Sequence, residues 1–303
     1  MNSRNIASIL KILFWGVVAL IASLLFLSFY RGENPFVSFD TQPGPLSILH
    51  EETISDNITS IHLSWNVGGV TVIASKDDKI HLIERSYNKV SQNKWLSTTI
   101  VGETLRITSR NKNAFWFFIW HSPETYLELQ LPVKTYDDFR LNVTSGQNEV
   151  HDLSTKKFDI NSTSGSLWIK NLNTEKLDFS MTSGQTTIEA SKTHDLSGVM
   201  TSGSLKYEGM VDQSIHLTMT SGQFNTTLTE IAPQSINFQM TSGLAQINLK
   251  APADFTLALS KTSGSFAANF QHTQDGNKYT YKNGKDDYRF GMTSGSLSFS
   301  IQE

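Results

Sequence analysis

Eight serines of this sequence share one setting. Ser145, Ser164, Ser183, Ser202, Ser221, Ser242, Ser263 and Ser294 each stand in the middle of a Thr-Ser-Gly triplet. A serine on a sharp turn invites an acyl-transfer reading. That chemistry needs a base within hydrogen-bond reach of the hydroxyl and a carboxylate to orient the base. The histidines, at positions 50, 62, 81, 121, 151, 194, 216 and 272, keep no constant offset from the triplets. Eight equivalent copies read as a structural turn.

A second chemistry would be carbohydrate cleavage, which requires paired carboxylates or basic residues converging on one face. Glu175 and His194 are 19 residues apart, Asp195 follows His194, and Asp212 lies near the same place one repeat later. Stacked repeats could gather these four around a divalent ion. The plainer reading, which the sequence favours, is a solvated loop edge with ordinary charges. The sequence has no Cys, which removes thiolate metal sites, iron–sulfur clusters, disulfides and Cys nucleophiles. It also lacks a recurring Gly-x-Asp calcium repeat, so no cofactor is expected. Two aromatic features suggest contact instead of catalysis. Trp168 lies between Leu167 and Ile169 in an alternating stretch and should point outward, where it could stack on a sugar ring. Phe115-Trp116-Phe117-Phe118-Ile119-Trp120 is a run of bulky apolar residues. It would cover an open end of the core or touch a membrane, and the cap is the preferred reading.

The elements that position these residues come from the period. The triplets begin at Thr144, Thr163, Thr182, Thr201, Thr220, Thr241, Thr262 and Thr293, at spacings of 19, 19, 19, 19, 21, 21 and 31. Three residues before each Thr stand Leu141, Ile160, Phe179, Gly198, Leu217, Phe238, Leu259 and Phe290. Six residues after stand Val150, Ile169, Ile188, Tyr207, Thr226, Ile247, Ala268 and Phe299. Polar residues alternate with them, which is the period-2 pattern of strands. Each unit is therefore strand, tight turn, strand and a short return. Gly146, Gly165, Gly184, Gly203, Gly222, Gly243, Gly264 and Gly295 supply the backbone freedom of the turn. A unit this small cannot bury its apolar face alone, whereas copies stacked about 4.8 Å apart make a continuous core. The expectation is an all-β chain: a parallel β-solenoid of about eight coils of 19–21 residues, each coil stacking on the next. Consecutive antiparallel hairpins are the weaker alternative.

The solenoid repeats occupy residues 136–303 in this reading, and residues 58–135 form an irregular β cap. Gly68-Gly69 marks the corner of a degenerate first coil. Asn283-Gly284, between two Tyr-containing runs, is read as the turn of a protruding hairpin over residues 278–289. Residues 31–57, with Pro35, Pro43 and Pro45, read as a linker. Before it, residues 12–30 (ILFWGVVALIASLLFLSFY) carry no charge and are long enough to cross a bilayer as one transmembrane helix. Arg4 and Lys11 precede this span, so residues 1–30 are read as a cytoplasmic N-terminus plus anchor, with residues 31–303 outside. Lysine and arginine number 25 against 28 aspartates and glutamates. No segment is strongly basic, and a nucleic-acid partner is not expected.

The eight Thr-Ser-Gly turns, the lead-in Leu129-Gln130-Leu131-Pro132-Val133-Lys134 and the stretch Tyr281-Lys282-Asn283-Gly284 carry a family resemblance. The chain resembles the bacterial adhesin-like family of β-strand-repeat proteins over roughly residues 58–303, and most of all its LiaG-type members. The resemblance implies a membrane-anchored domain outside the cytoplasm, a role in the cell envelope and an association with envelope-stress responses. It implies no catalytic residues. The expected function is non-catalytic: a scaffold with an unknown protein or glycan partner of the envelope. The competing readings are a carbohydrate-active β-helix enzyme or glycan-binding module, and an accessory of a membrane sensor.

Overall fold

A computed structural model describes residues 45–87, 90–92, 95–109 and 124–302. Residues 12–30 and 115–120 lie outside the described residues, and so do the readings placed on them. The described chain contains no helix, and none of it is long and apolar enough to cross a membrane as one.

The strands form two long ladders joined at the turns into a solenoid. Register is in step with the repeat: Phe139, Phe158, Leu177, Leu196 and Ile215 pair from rung to rung as parallel neighbours. The alternate positions point inward, and Phe139, Phe158, Tyr207, Phe224, Phe238, Phe255 and Phe299 are fully buried. The expected period, alternation and outward direction of Trp168 are all present. Strands Gln185–Met200 and Ser204–Met219 run through the second corner unbroken, with register shifts there between paired rungs.

The stacking order differs from the order in sequence. Strand Asp286–Met292 pairs in parallel with Ser235–Met240 on one side and with Phe255–Lys261 on the other. Ser296–Ile301 is likewise held between Leu244–Leu249 and Ser265–Asn269. The last rung of the chain is thus inserted one place in from the C-terminal end. The N-terminal end repeats the arrangement. The rung Ser60–Trp65/Gly68–Ala74, whose corner is at Gly68 as expected, lies inside the rung Thr104–Thr108/Thr125–Leu131. Ten rungs are described in all, and at the usual strand spacing they make a stack about 43 Å long.

Two further readings are corrected. Ser47–Ile54, assigned to the linker, is an antiparallel strand on Ile80–Ser86. Its only buried residue is Ile54, so an edge strand with His50, Glu51 and Glu52 at its centre shows no alternation in sequence. The C-terminal hairpin is formed by Thr273–Asp275 and Lys278–Tyr281, not by residues 278–289. The Asn283-Gly284 turn instead redirects the chain into the inserted strand. Asp254 pins it by accepting from the Asn283 amide at 2.8 Å and its side-chain nitrogen at 3.1 Å.

Candidate interaction site

The turn ladder is built first. All eight triplet glycines have φ between +87° and +112°, a region that L-residues rarely enter. At Gly184 a Cβ atom would also lie 2.3 Å from the Gly165 carbonyl oxygen of the neighbouring turn. The glycine is therefore required both by its own dihedral and by the close stacking of backbones. Seven of the eight turn serines donate to a carbonyl of the adjoining turn. Ser183 donates its hydroxyl proton to the Thr163 carbonyl at 2.9 Å, and Ser202 does the same to Thr182 at 3.0 Å. The ladder also records the altered rung order: Ser294 donates to Thr241, and Ser263 to Thr293.

The outer face of the ladder that precedes the turns carries interlocked charge. Arg140, Asp159, Asp178, Ser197 and His216 occupy one register row. Asp138, Lys157, Lys176 and Asp195 occupy the row two residues earlier. Asp159 and Asp178 stand in adjacent rungs, the starting geometry for a carboxylate pair. Lys157 binds Asp159 at 2.8 Å and Lys176 binds Asp178 at 3.1 Å, and Ser197 also donates to Asp178. The Lys157 ammonium is held above the usual lysine range by its bond to Asp159. Arg140 and His62 each reach the same oxygen of Asp138 at 2.8 Å. A shallow groove of about 500 Å³ runs between the Asp159 row and the row of Asn142, Asn161, Ser180, Val199 and Thr218. Gly198 lies at its floor. The absent side chain is compensated by Phe179, whose ring occupies the space where a Cβ of Gly198 would project. The gap at Gly198 in the apolar ladder was the sequence signal for this feature.

Of the four residues considered for a metal, His194 and Asp212 meet, Nδ1 to Oδ1, at 2.8 Å. This bond raises the His194 pKa above its ordinary value. Among the described residues no group of three or more acidic, histidine or cysteine side chains is placed to hold a metal ion.

On the opposite face Trp168 is exposed, at 38% of its accessible area. Its indole N–H donates to Glu189 at 3.3 Å, and the His151 ring meets it edge-on at 5.4 Å. The Lys170 ammonium lies 5.9 Å from the ring centroid. Glu189 in turn binds Lys206 at 3.0 Å. The arrangement is a fixed aromatic platform with hydrogen-bonding groups at its edges, suited to contact and not to bond cleavage.

The protein-family model described as Toastrack DUF4097 matches residues 58–299, nearly the whole stack of rungs. The chain belongs to the Toastrack family. Similar solved structures include a candidate adhesin from Bacteroides fragilis, 12% identical, covering 86% of this chain and 99% of that one with a TM-score of 0.46. A candidate adhesin from Parabacteroides merdae is 13% identical, with 86% and 98% covered and a TM-score of 0.42. A candidate lipid-binding protein from Parabacteroides distasonis is 13% identical, with 84% and 96% covered and a TM-score of 0.37. No curated protein matches the chain. The Toastrack repeats thus account for the scaffold, and the eight turn glycines belong to it, while Trp168 and the charged rows are side chains mounted on its faces.

Proposed function

We propose that this Toastrack protein is a non-catalytic, adhesin-like scaffold of the cell envelope. It is anchored through residues 12–30, with its solenoid outside the cytoplasm, and presents rigid polar faces to a protein or glycan partner. The observation that carries the reading is the state of its charged side chains. Asp159 and Asp178, a carboxylate pair in adjacent rungs, are occupied by Lys157 and Lys176. Seven of the eight turn serines donate to neighbouring carbonyls. Such a surface is preorganised for recognition. A link to envelope-stress signalling, as an accessory of a membrane sensor, fits the same placement. A glycan as the partner is favoured by Trp168, whose ring is held by Glu189 and His151.

The test has two parts. Protease added to intact protoplasts should digest the chain beyond residue 31 and spare its N-terminus. Protection of the whole chain would sink the topology, and release of a product lacking residues 1–30 would replace the anchor with a cleaved leader. Crosslinking in intact membranes followed by purification should then recover an envelope protein or glycan, with recovery reduced by Trp168→Ala if that platform is the contact.

A further inference from the structure

The exposed apolar side chains of the solenoid are unevenly placed. Nine large hydrophobic residues are exposed among the described residues, and six belong to the N-terminal end: Leu46, Ile48, Tyr87, Ile100, Val101 and Val133. Ile48 lies on Ser47–Ile54, the outermost strand of one ladder, and Leu46 just precedes it. Ile100 and Val101 lie on Ser97–Val101, the outermost strand of the other. They lead into a hairpin tip at Gly102, where nothing stands within 4 Å of a would-be Cβ. Val133, 82% exposed, is in the connection that leaves the outermost rung.

The two outer strands form one surface. Glu52 of the first accepts from the Thr98 hydroxyl of the second at 2.9 Å, and the His50 and Trp95 rings meet at 5.6 Å. Beneath them Leu96, Ile54 and Ile58 are buried and close the core. Among the described residues these three close this end of the core, and the exposed apolar residues lie outside it. Edge strands are ordinarily kept polar against association, and a concentration of exposed apolar residues marks a contact surface.

The described chain begins at this same end, at Pro45. Only residues 31–44 separate it in sequence from the uncharged span 12–30, and fourteen residues reach at most about 50 Å. We propose that the N-terminal end of the solenoid rests against a lipid bilayer, with Ile48 and the Ile100-Val101 hairpin tip entering the interfacial region. The inference rests on the anchored reading above and adds an orientation to it: the stack stands on the membrane and points its C-terminal end away. Glu51 and Glu103 are exposed at the same end. Lys76, Lys79, Arg106 and Lys134 are exposed there too, so charge of both signs surrounds the apolar residues and contact is driven by apolar burial, for which a zwitterionic bilayer is the probe.

The absence of Cys permits single-cysteine labelling of the full chain. Ile48→Cys, Val101→Cys, Val199→Cys and Ile231→Cys all replace exposed apolar residues, the last two well away from the N-terminal end. Each would carry an environment-sensitive fluorophore, and the protein would be reconstituted into phosphatidylcholine vesicles containing a spin-labelled lipid. The expected result is blue-shifted emission and several-fold stronger quenching at positions 48 and 101 than at 199 and 231. Equal quenching at the four positions in a chain that floats with the vesicles overturns the docking and leaves the anchor standing. Strong quenching at 48 and 101 in a chain that alkaline carbonate strips from the vesicles supports docking and removes the anchor. Self-quenching at these positions that grows with protein density, without lipid quenching, overturns the lipid partner in favour of a second copy.

Discussion

Gly184→Ala tests whether the shared turns are held by dihedral preference alone or also by stacking. Gly184 has φ +95°, and placing a Cβ residue in the left-handed region costs about 1–2 kcal/mol. The new methyl would also lie 2.3 Å from the Gly165 oxygen and 3.0 Å from its nitrogen. Relief requires the two turns to part, which weakens the Gln185 amide bond to that oxygen, now 2.9 Å. Crowding of this kind costs about 1–3 kcal/mol, and a weakened hydrogen bond up to about 1. The whole effect should be about 2–6 kcal/mol. Gly102→Ala is the control, because Gly102 also has positive φ, +60°, but no atom within 4 Å of the added carbon. It should cost only about 1 kcal/mol. Ser183→Ala, which removes one exposed hydrogen bond to Thr163, should cost about 0.5–1 kcal/mol. Urea midpoints followed by tryptophan fluorescence, compared at equal slope, measure all three. If Gly184→Ala and Gly102→Ala shifted the midpoint equally, close stacking of the turns would contribute nothing and the reasoning would fail.

Gly198→Leu should destabilise by about 1–3 kcal/mol through overpacking, because a Cβ there meets the Phe179 ring at 2.4 Å. Adding Phe179→Ala should recover part of the loss, and a strictly additive double mutant would show that the two sites do not share space. Glu84 is buried, and burial raises its carboxyl pKa while its Oε2 accepts from the Leu96 amide at 2.8 Å. A raised folded-state pKa means that its contribution is fully present below the ordinary value of about 4.3 and is lost as pH rises through the folded value. Wild type should therefore lose stability relative to Glu84→Gln between these two pH values, and parallel urea midpoints across that window would refute the assignment. Deleting residues 286–303 should expose the rung at 255–269 as well as the one at 235–249, since the deleted rung lies between them. Limited proteolysis should then cut within residues 250–285, and resistance there would contradict the inserted order.

The sequence alone determined the unit of this fold. Triplet spacing, alternation and the turn glycines are local properties repeated eight times, and stacking identical units leaves only one way to align their apolar positions. The direction of Trp168 followed from the same alternation. The edge strand at 47–54 was hidden because a strand buried on neither face need not alternate. Rung order was hidden for a deeper reason. Units with the same register are interchangeable neighbours, so periodicity says which residues pair across rungs but not which rung is next. Contacts at the ends decide it. Tyr288 of the inserted rung stacks on Phe255 at 4.5 Å, and its hydroxyl donates to the Pro233 carbonyl at 2.9 Å, tying it to both neighbours. Phe290 meets Phe238 at 6.2 Å and Phe299 at 5.6 Å within the same core. The hairpin at 273–281 supplies enough chain for the return. The groove at Gly198, the juxtaposition of Asp159 with Asp178, and the apolar N-terminal end all arise from side chains of different rungs. They exist only once tertiary structure has set those rungs side by side.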